Sequence, residues 1–485
     1  MFSRQFCVKQ AANASSIPSY RPLGSSPIKQ LRATPSILPR RTMASSSKVH
    51  LSPSQQPQFY LPGISSETAD TTSQLLQENH EKHHIFFNQS GFHNHIVHHL
   101  LTLFALNASP TELKKGYKEN LSYQRRMEPL EQSVVKDMHE LDRYKTYLGN
   151  GEYYHEFLAF YQEEIAKKGW QNVLNEYVFK GDERADDMLC RMFAGFLHPI
   201  IHLGFGVEFE QPAIIAEALA QAAVHDAWMM PLFLGCEKMV KEKNPNRTPS
   251  TKSVVEILDE IRADKKLSEA PQWGDGNKIR DGLLKRVPDD MIKYASQYIV
   301  ADEKELEEKT AEMINAIVYY TAAAQHPPHQ VKIDFYYMHC VNCSIFFPVF
   351  LSQPWLSTPN KIRLLEWKVR NDLVMYASRR SPKLLISEIR DYKSKKNSEW
   401  QDVFARVKSF PDDGHASKLV RALANGQKIC EMFEGRKGFV VEGDMWRILG
   451  NMAIDSVEAG EPHWVRSCGF EEAWRGVPER EQARL

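Results

Sequence analysis

Residues 302–325 read DEKELEEKTAEMINAIVYYTAAAQ. The acids crowd the first turns, where the positive end of a helix favours them. The second half is apolar and alanine-rich, the composition of a helix that runs into a core. Working outward, the same signature recurs along the chain. Ser109-Pro110-Thr111-Glu112 joins a capping serine, a proline at the first helical position and a glutamate placed for a capping box. Thr358-Pro359 repeats the cap-then-proline signal ahead of a periodic run to about Ser378. Glu152–Lys168 sets Tyr153, Phe157, Phe160 and Ile165 at helical spacing and is closed by Gly169. Pro212–Met230 places Ile215, Leu219, Ala222 and Trp228 near one face, and Glu442–Val457 is similar. Short alternating runs bounded by turn residues do not recur, and strands do not alternate with helices. The expected fold is all-α, a large multi-helix domain open to a two-lobed form, with the polar stretch 241–290 as the connector.

Charge and composition narrow the function. Lys+Arg is 61 and Asp+Glu is 61, so no global field draws the chain to nucleic acid or to an anionic membrane. No apolar run approaches the ~20 residues that cross a bilayer. Seven cysteines, an odd and sparse set, fit a reduced intracellular compartment better than a disulfide scaffold. Residues 1–66 hold eight Lys/Arg and no acid; the first acid is Glu67. That segment reads as a disordered or targeting extension, with Met43 as an alternative start, and 67–485 as the catalytic domain. The expected location is cytoplasmic, or mitochondrial if the extension is a presequence.

Missing motifs matter too. No G-x-G-x-x-G, P-loop or G-x-S-x-G occurs. A flavin or dinucleotide site of the usual kind is therefore not expected.

The chemistry concentrates in histidines. In Phe92-His93-Asn94-His95-Ile96-Val97-His98-His99-Leu100, a helix would bring His95 onto one face with His98 and His99. In His198-Pro199-Ile200-Ile201-His202, the two imidazoles lie one helical turn apart, a two-ligand geometry; Pro199 puts His198 at a helix start or kink. His339 sits in the aromatic run Asp334–Met338, followed by Cys340 and Cys343, which read as buried thiols rather than a zinc pair. His225 reads as a core histidine, and His326 and His329 as a turn around Pro327-Pro328. For each group, plain hydrogen bonding competes with metal ligation. Imidazole without thiolate suits Zn, Cu, Fe or Ni. An anionic ligand could come from Asp226, Glu208 or Asp334, or from Lys368, which as a buried lysine could capture carbon dioxide as a carbamate. A helix-flank pairing of Lys368 with Asp372 is the simpler reading.

Four segments together resemble the questin oxidase-like family of fungal secondary metabolism. They are Gly91–Leu100, His198–Glu208, Asp334–His339 and Leu364–Leu373. The resemblance implies oxidative ring cleavage of anthraquinone-type polyketides, often described as Baeyer–Villiger-like. It favours a non-haem Fe(II) centre acting with O2, held by His95, His198, His202 and His339, with Lys368 as a modified fifth ligand. The aromatic substrate is expected against Tyr336, Tyr337 and Trp367, with NADPH as a candidate reductant. Two other classes stay open: a metal-free flavin- or NADPH-dependent Baeyer–Villiger monooxygenase, and a non-catalytic helical binding protein.

Overall fold

A computed structural model describes residues Met43–Arg480. Helices carry the architecture. The sole regular sheet among the described residues is a two-stranded parallel pair, β1 (Ile333–Asp334) with β2 (Trp464–Val465).

The local signals fold largely as their chemistry dictates. Ser109 and Glu112 close a reciprocal capping box on the helix Pro110–Leu121. Tyr154–Lys168 ends at Gly169, which takes a φ of 77° that residues with a Cβ resist. Thr358–Ser378 is one long helix, with the capping position at Ser357 rather than Thr358. Leu306–Ala323 follows a one-turn 3-10 segment and buries its apolar half.

Three expectations change. The Ala-rich helix stops at Ala223, and the next begins at Met230. Residues 224–229 turn instead and carry His225 to a cavity wall. The stretch 241–290 is not an inter-lobe connector. It forms short helices, Val254–Ala263 and Pro288–Ala295 among them, that bury Ile257, Leu258 and Met291 within a single unit that begins at Met43. The boundary at 66 also moves. Val49 and Leu51 are buried, and Gln58 reaches Glu208 and Asn425, so 43–66 belongs to the packed body. The targeting reading of residues 1–42 lies outside the described residues. No single described helix is long and apolar enough to cross a membrane.

Four helices meet at the centre. Ile96–Ala105 packs on Ala194–Glu208 and His415–Cys430, and Phe335–Ser344 packs on the latter two. Between Glu183–Met192 and Ala194–Glu208 the chain bends by 96°. The bend is a left-handed turn in which Gly195, Phe196 and Leu197 all have positive φ (53°, 55° and 72°). The sequence points to a break here because Pro199 has no N–H and suits the first turn of a helix.

Candidate metal centre and substrate cavity

Three of the four central imidazoles sit at helix starts. His95 is the residue ahead of Ile96–Ala105, His198 follows the left-handed turn, and His415 opens His415–Cys430. His339 lies one turn into Phe335–Ser344. Their rings form a closed circuit. Centroid separations are 5.0 Å for His95–His198, 4.8 Å for His198–His339, 5.1 Å for His339–His415 and 4.6 Å for His415–His95.

The hydrogen bonds fix which nitrogen each ring turns inward. His198 Nδ1 donates to the Gly195 carbonyl at 2.6 Å, and His339 Nδ1 to the Phe335 carbonyl at 2.6 Å. His95 and His415 direct Nδ1 to opposite oxygens of Asp413, at 2.8 Å and 2.5 Å. Every acceptor is a carbonyl or carboxylate, so Nδ1 carries the proton and Nε2 keeps its lone pair. Nε2 of His339 and Nε2 of His415 are buried without a hydrogen-bond partner. Nε2 of His95 and Nε2 of His198 lie 2.8 Å apart.

Burial, followed by the neighbouring imidazoles, pushes His198 well below the ordinary range. Burial, His415 and Lys418 do the same to His339. The rings are therefore neutral, and lone pairs face one another without protons to bridge them. This donor set fits a transition-metal ion: imidazole Nε2 atoms inward, each oriented by an acceptor on Nδ1. His95, His198 and His415 each offer a nitrogen within 4.8 Å of the others.

His202 is not brought to this point. One turn beyond His198, it donates from Nε2 to Glu217 at 2.8 Å and meets His98 Nε2 through Nδ1 at 3.2 Å. Glu217 also accepts from His80 Nδ1 at 2.6 Å. Burial alone would raise the Glu217 carboxyl, but the bonds from His202 and His80 outweigh it and hold the group at about 2. His99 turns instead toward Asn120. The i, i+4 spacing of His198 and His202 thus serves two different neighbours, His95 for the first and Glu217 for the second.

Lys368 is also elsewhere. It is fully buried, with Nζ 2.5 Å from Asp372 Oδ2, and that carboxylate outweighs burial to hold it an ammonium. The lysine beside the histidines is Lys418, one turn into the His415 helix and buried. Burial brings it down to about 8, and its charge acts on His95, His339 and His415. Among the described residues no carboxylate lies within ion-pair distance of its Nζ. Of the three carboxylates considered as ligands, Asp226 is on the cavity wall, Glu208 pairs with Arg421, and Asp334 caps the His339 helix.

Beside the circuit opens a cavity of about 650 Å³. His95, His198, His93 and His225 line it, with Phe196, Phe335 and Tyr336 as aromatic walls. Tyr336 packs 4.6 Å from Phe196 and carries the Arg379 guanidinium 3.8 Å over its ring. His93 stacks on His198 at 3.8 Å and meets His225 Nε2 at 2.8 Å. Tyr337 and Trp367 are away from the cavity. Tyr337 donates to the Tyr376 carbonyl, and Trp367 stacks on Phe233 at 4.3 Å and donates to Glu237. Cys340 and Cys343 are buried and form no disulfide, and burial pushes both thiols up.

His415 and Lys418 are the residues that reasoning from histidine spacing misses. A signal was present in Asp412-Asp413-Gly414-His415: an Asp-Gly turn before a helix start, the same kind of place that holds His95 and His198.

The questin oxidase-like family profile matches residues 92–423. A Baeyer–Villiger monooxygenase (dmxR6) of Cryptosporiopsis sp. is 39% identical over 439 residues, covering 88% of this chain and 98% of the relative. A Baeyer–Villiger oxidase (mdpL) of Emericella nidulans is 40% identical over 421 residues, covering 84% and 93%. A questin oxidase of Aspergillus terreus is 34% identical over 444 residues, covering 90% and 98%. With a family match that spans all four central histidines and relatives of this likeness, the chain belongs to the questin oxidase-like family and is an oxidoreductase of its Baeyer–Villiger type.

Proposed function

We propose that this protein is a non-haem iron oxygenase that cleaves a ring of an anthraquinone-type polyketide with dioxygen. One observation carries the reading: His95, His198 and His415, neutral and anchored through Nδ1, bring ring nitrogens within 4.8 Å of one another beside an aromatic-walled cavity, and the ring of His339, its Nε2 unpartnered, packs against them. His95, His198, His339 and His415 would hold Fe(II), which when bound supplies the activation of dioxygen.

The anionic ligand first sought at Lys368 is proposed at Lys418. A neutral amine at that position forms an N–C bond to carbon dioxide and releases one proton, leaving a carbamate. Phe196 and Tyr336 would hold a planar ring system by stacking, and the left-handed turn fixes both Phe196 and the neighbouring His198. Asp413 keeps two rings in register by accepting from both. Reduction of a quinone to its hydroquinone would use NADPH, here or on a separate protein.

Metal analysis together with oxygen uptake tests the reading. Purified protein should hold about one iron per chain and consume dioxygen only with an aromatic substrate. Ring cleavage by a protein free of transition metal would overturn it.

A further inference from the structure

We infer that Arg466 recognises an ionised oxygen substituent, a phenolate or a carboxylate, on the aromatic ligand of this cavity. The inference rests on the ring-cleaving reading above and names what its cavity selects.

The sole regular sheet among the described residues places Arg466. Parallel pairing sets Ile333 against Trp464 and Asp334 against Val465, which brings Arg466 next to Phe335. Asp334 fastens the arrangement from both sides. One carboxylate oxygen accepts the N–H groups of Tyr336 and Tyr337, at 2.8 Å and 3.2 Å, and so caps the helix of His339. The other accepts the Cys468 N–H at 2.8 Å, two residues beyond Arg466. The C-terminal segment is thereby clamped to the start of a ligand-bearing helix.

The guanidinium lies 4.9 Å over the Phe335 ring. Phe335 in turn packs edge-on against His339 at 4.6 Å and His415 at 5.2 Å. One aromatic layer therefore separates Arg466 from the imidazole circuit, and Arg466 is part of the cavity wall.

Its charge is uncommitted. Among the described residues no carboxylate lies within ion-pair distance of Arg466, whereas Arg125, the other arginine of the wall, pairs with Glu128. Stacking on Phe335 leaves the planar fork of N–H donors free, the geometry that reads carboxylate or phenolate oxygens. Glu152 and Asp226 line the same cavity. Their charge repels an anion, so an anionic ligand enters with its charged end at Arg466.

Binding to the metal-free full-length protein, followed by tryptophan quenching, tests this without dioxygen or turnover. The probes are a dihydroxyanthraquinone carboxylate with its methyl ester, and a hydroxyanthraquinone with its methyl ether above the pKa of the phenol. The parent should prefer the charged member of one pair by about tenfold or more, and that pair identifies the source of the charge. Arg466→Gln should abolish the preference and leave the neutral probe unchanged; Arg466→Lys should keep part of it. A preference that survives in Arg466→Gln, or an equal loss for charged and neutral probes, would overturn the assignment. A parent protein that binds none of the four probes would overturn the ring-cleaving reading along with it.

Discussion

Asp413 accepts from His95 through one oxygen and from His415 through the other, so two imidazoles from opposite ends of the chain share one carboxylate. Substitutions at single residues should therefore separate ligands from neighbours. His339→Ala and His415→Ala should each cut bound metal sharply while the protein stays folded, as measured by metal analysis and circular dichroism. His202→Ala should retain metal yet lose about 2–4 kcal/mol in urea unfolding, because Glu217 and His98 lose a buried partner. Glu217 also sets an acid limit. Its folded-state carboxyl is depressed from 4.5 to about 2, so its stabilisation is complete above the unfolded value and is lost as pH falls through the folded one. A shift of that size corresponds to about 3 kcal/mol. In parallel denaturant titrations between neutral pH and the acid range, Glu217→Gln should show a shallower loss of stability than the parent.

At the scale of elements, the left-handed turn makes the site and is its most strained part. Gly195 has φ 53°, and an added Cβ would come within 2.7 Å of His225 and 2.8 Å of His93. Gly195→Ala should cost about 2 kcal/mol or more in thermal or denaturant unfolding and weaken metal binding by displacing the carbonyl that orients His198. This turn also marks where sequence reasoning stops. Helices show in sequence through local chemistry: the box of Ser109 and Glu112, the glycine stop at 169, the acidic entry before Leu306. Three of the four central histidines were legible only with the family resemblance, since His98 and His99 share the apolar setting of His95. His202 lies elsewhere because a one-turn spacing says nothing about Glu217, a buried carboxylate that takes its ring. His415 was hidden because its neighbours are two aspartates and a glycine, an ordinary turn composition, and its importance arises only from contacts with residues far away in the chain. Lys368 and Lys418 are both buried lysines on helices, and only tertiary packing tells which one faces the imidazoles.

For the whole molecule, the packed body extends back to Val49. A chain beginning at Ser66 should melt well below the full-length protein, since Val49 and Leu51 each contribute about 1.5–3 kcal/mol by burial. On the proposed reading, a chelator that strips the iron should lower the midpoint of the full-length protein, because a ligand that binds only the folded state stabilises it by mass action. The resulting difference should vanish in His415→Ala.

The distribution of the four histidines along the chain has a further consequence, for synthesis. A ribosome releases His95 early and His415 late, and no two of the four belong to the same helix. An unfinished or truncated chain therefore presents scattered imidazoles and no pocket for a redox-active ion. On the proposed reading, metal would load only after translation and folding are complete.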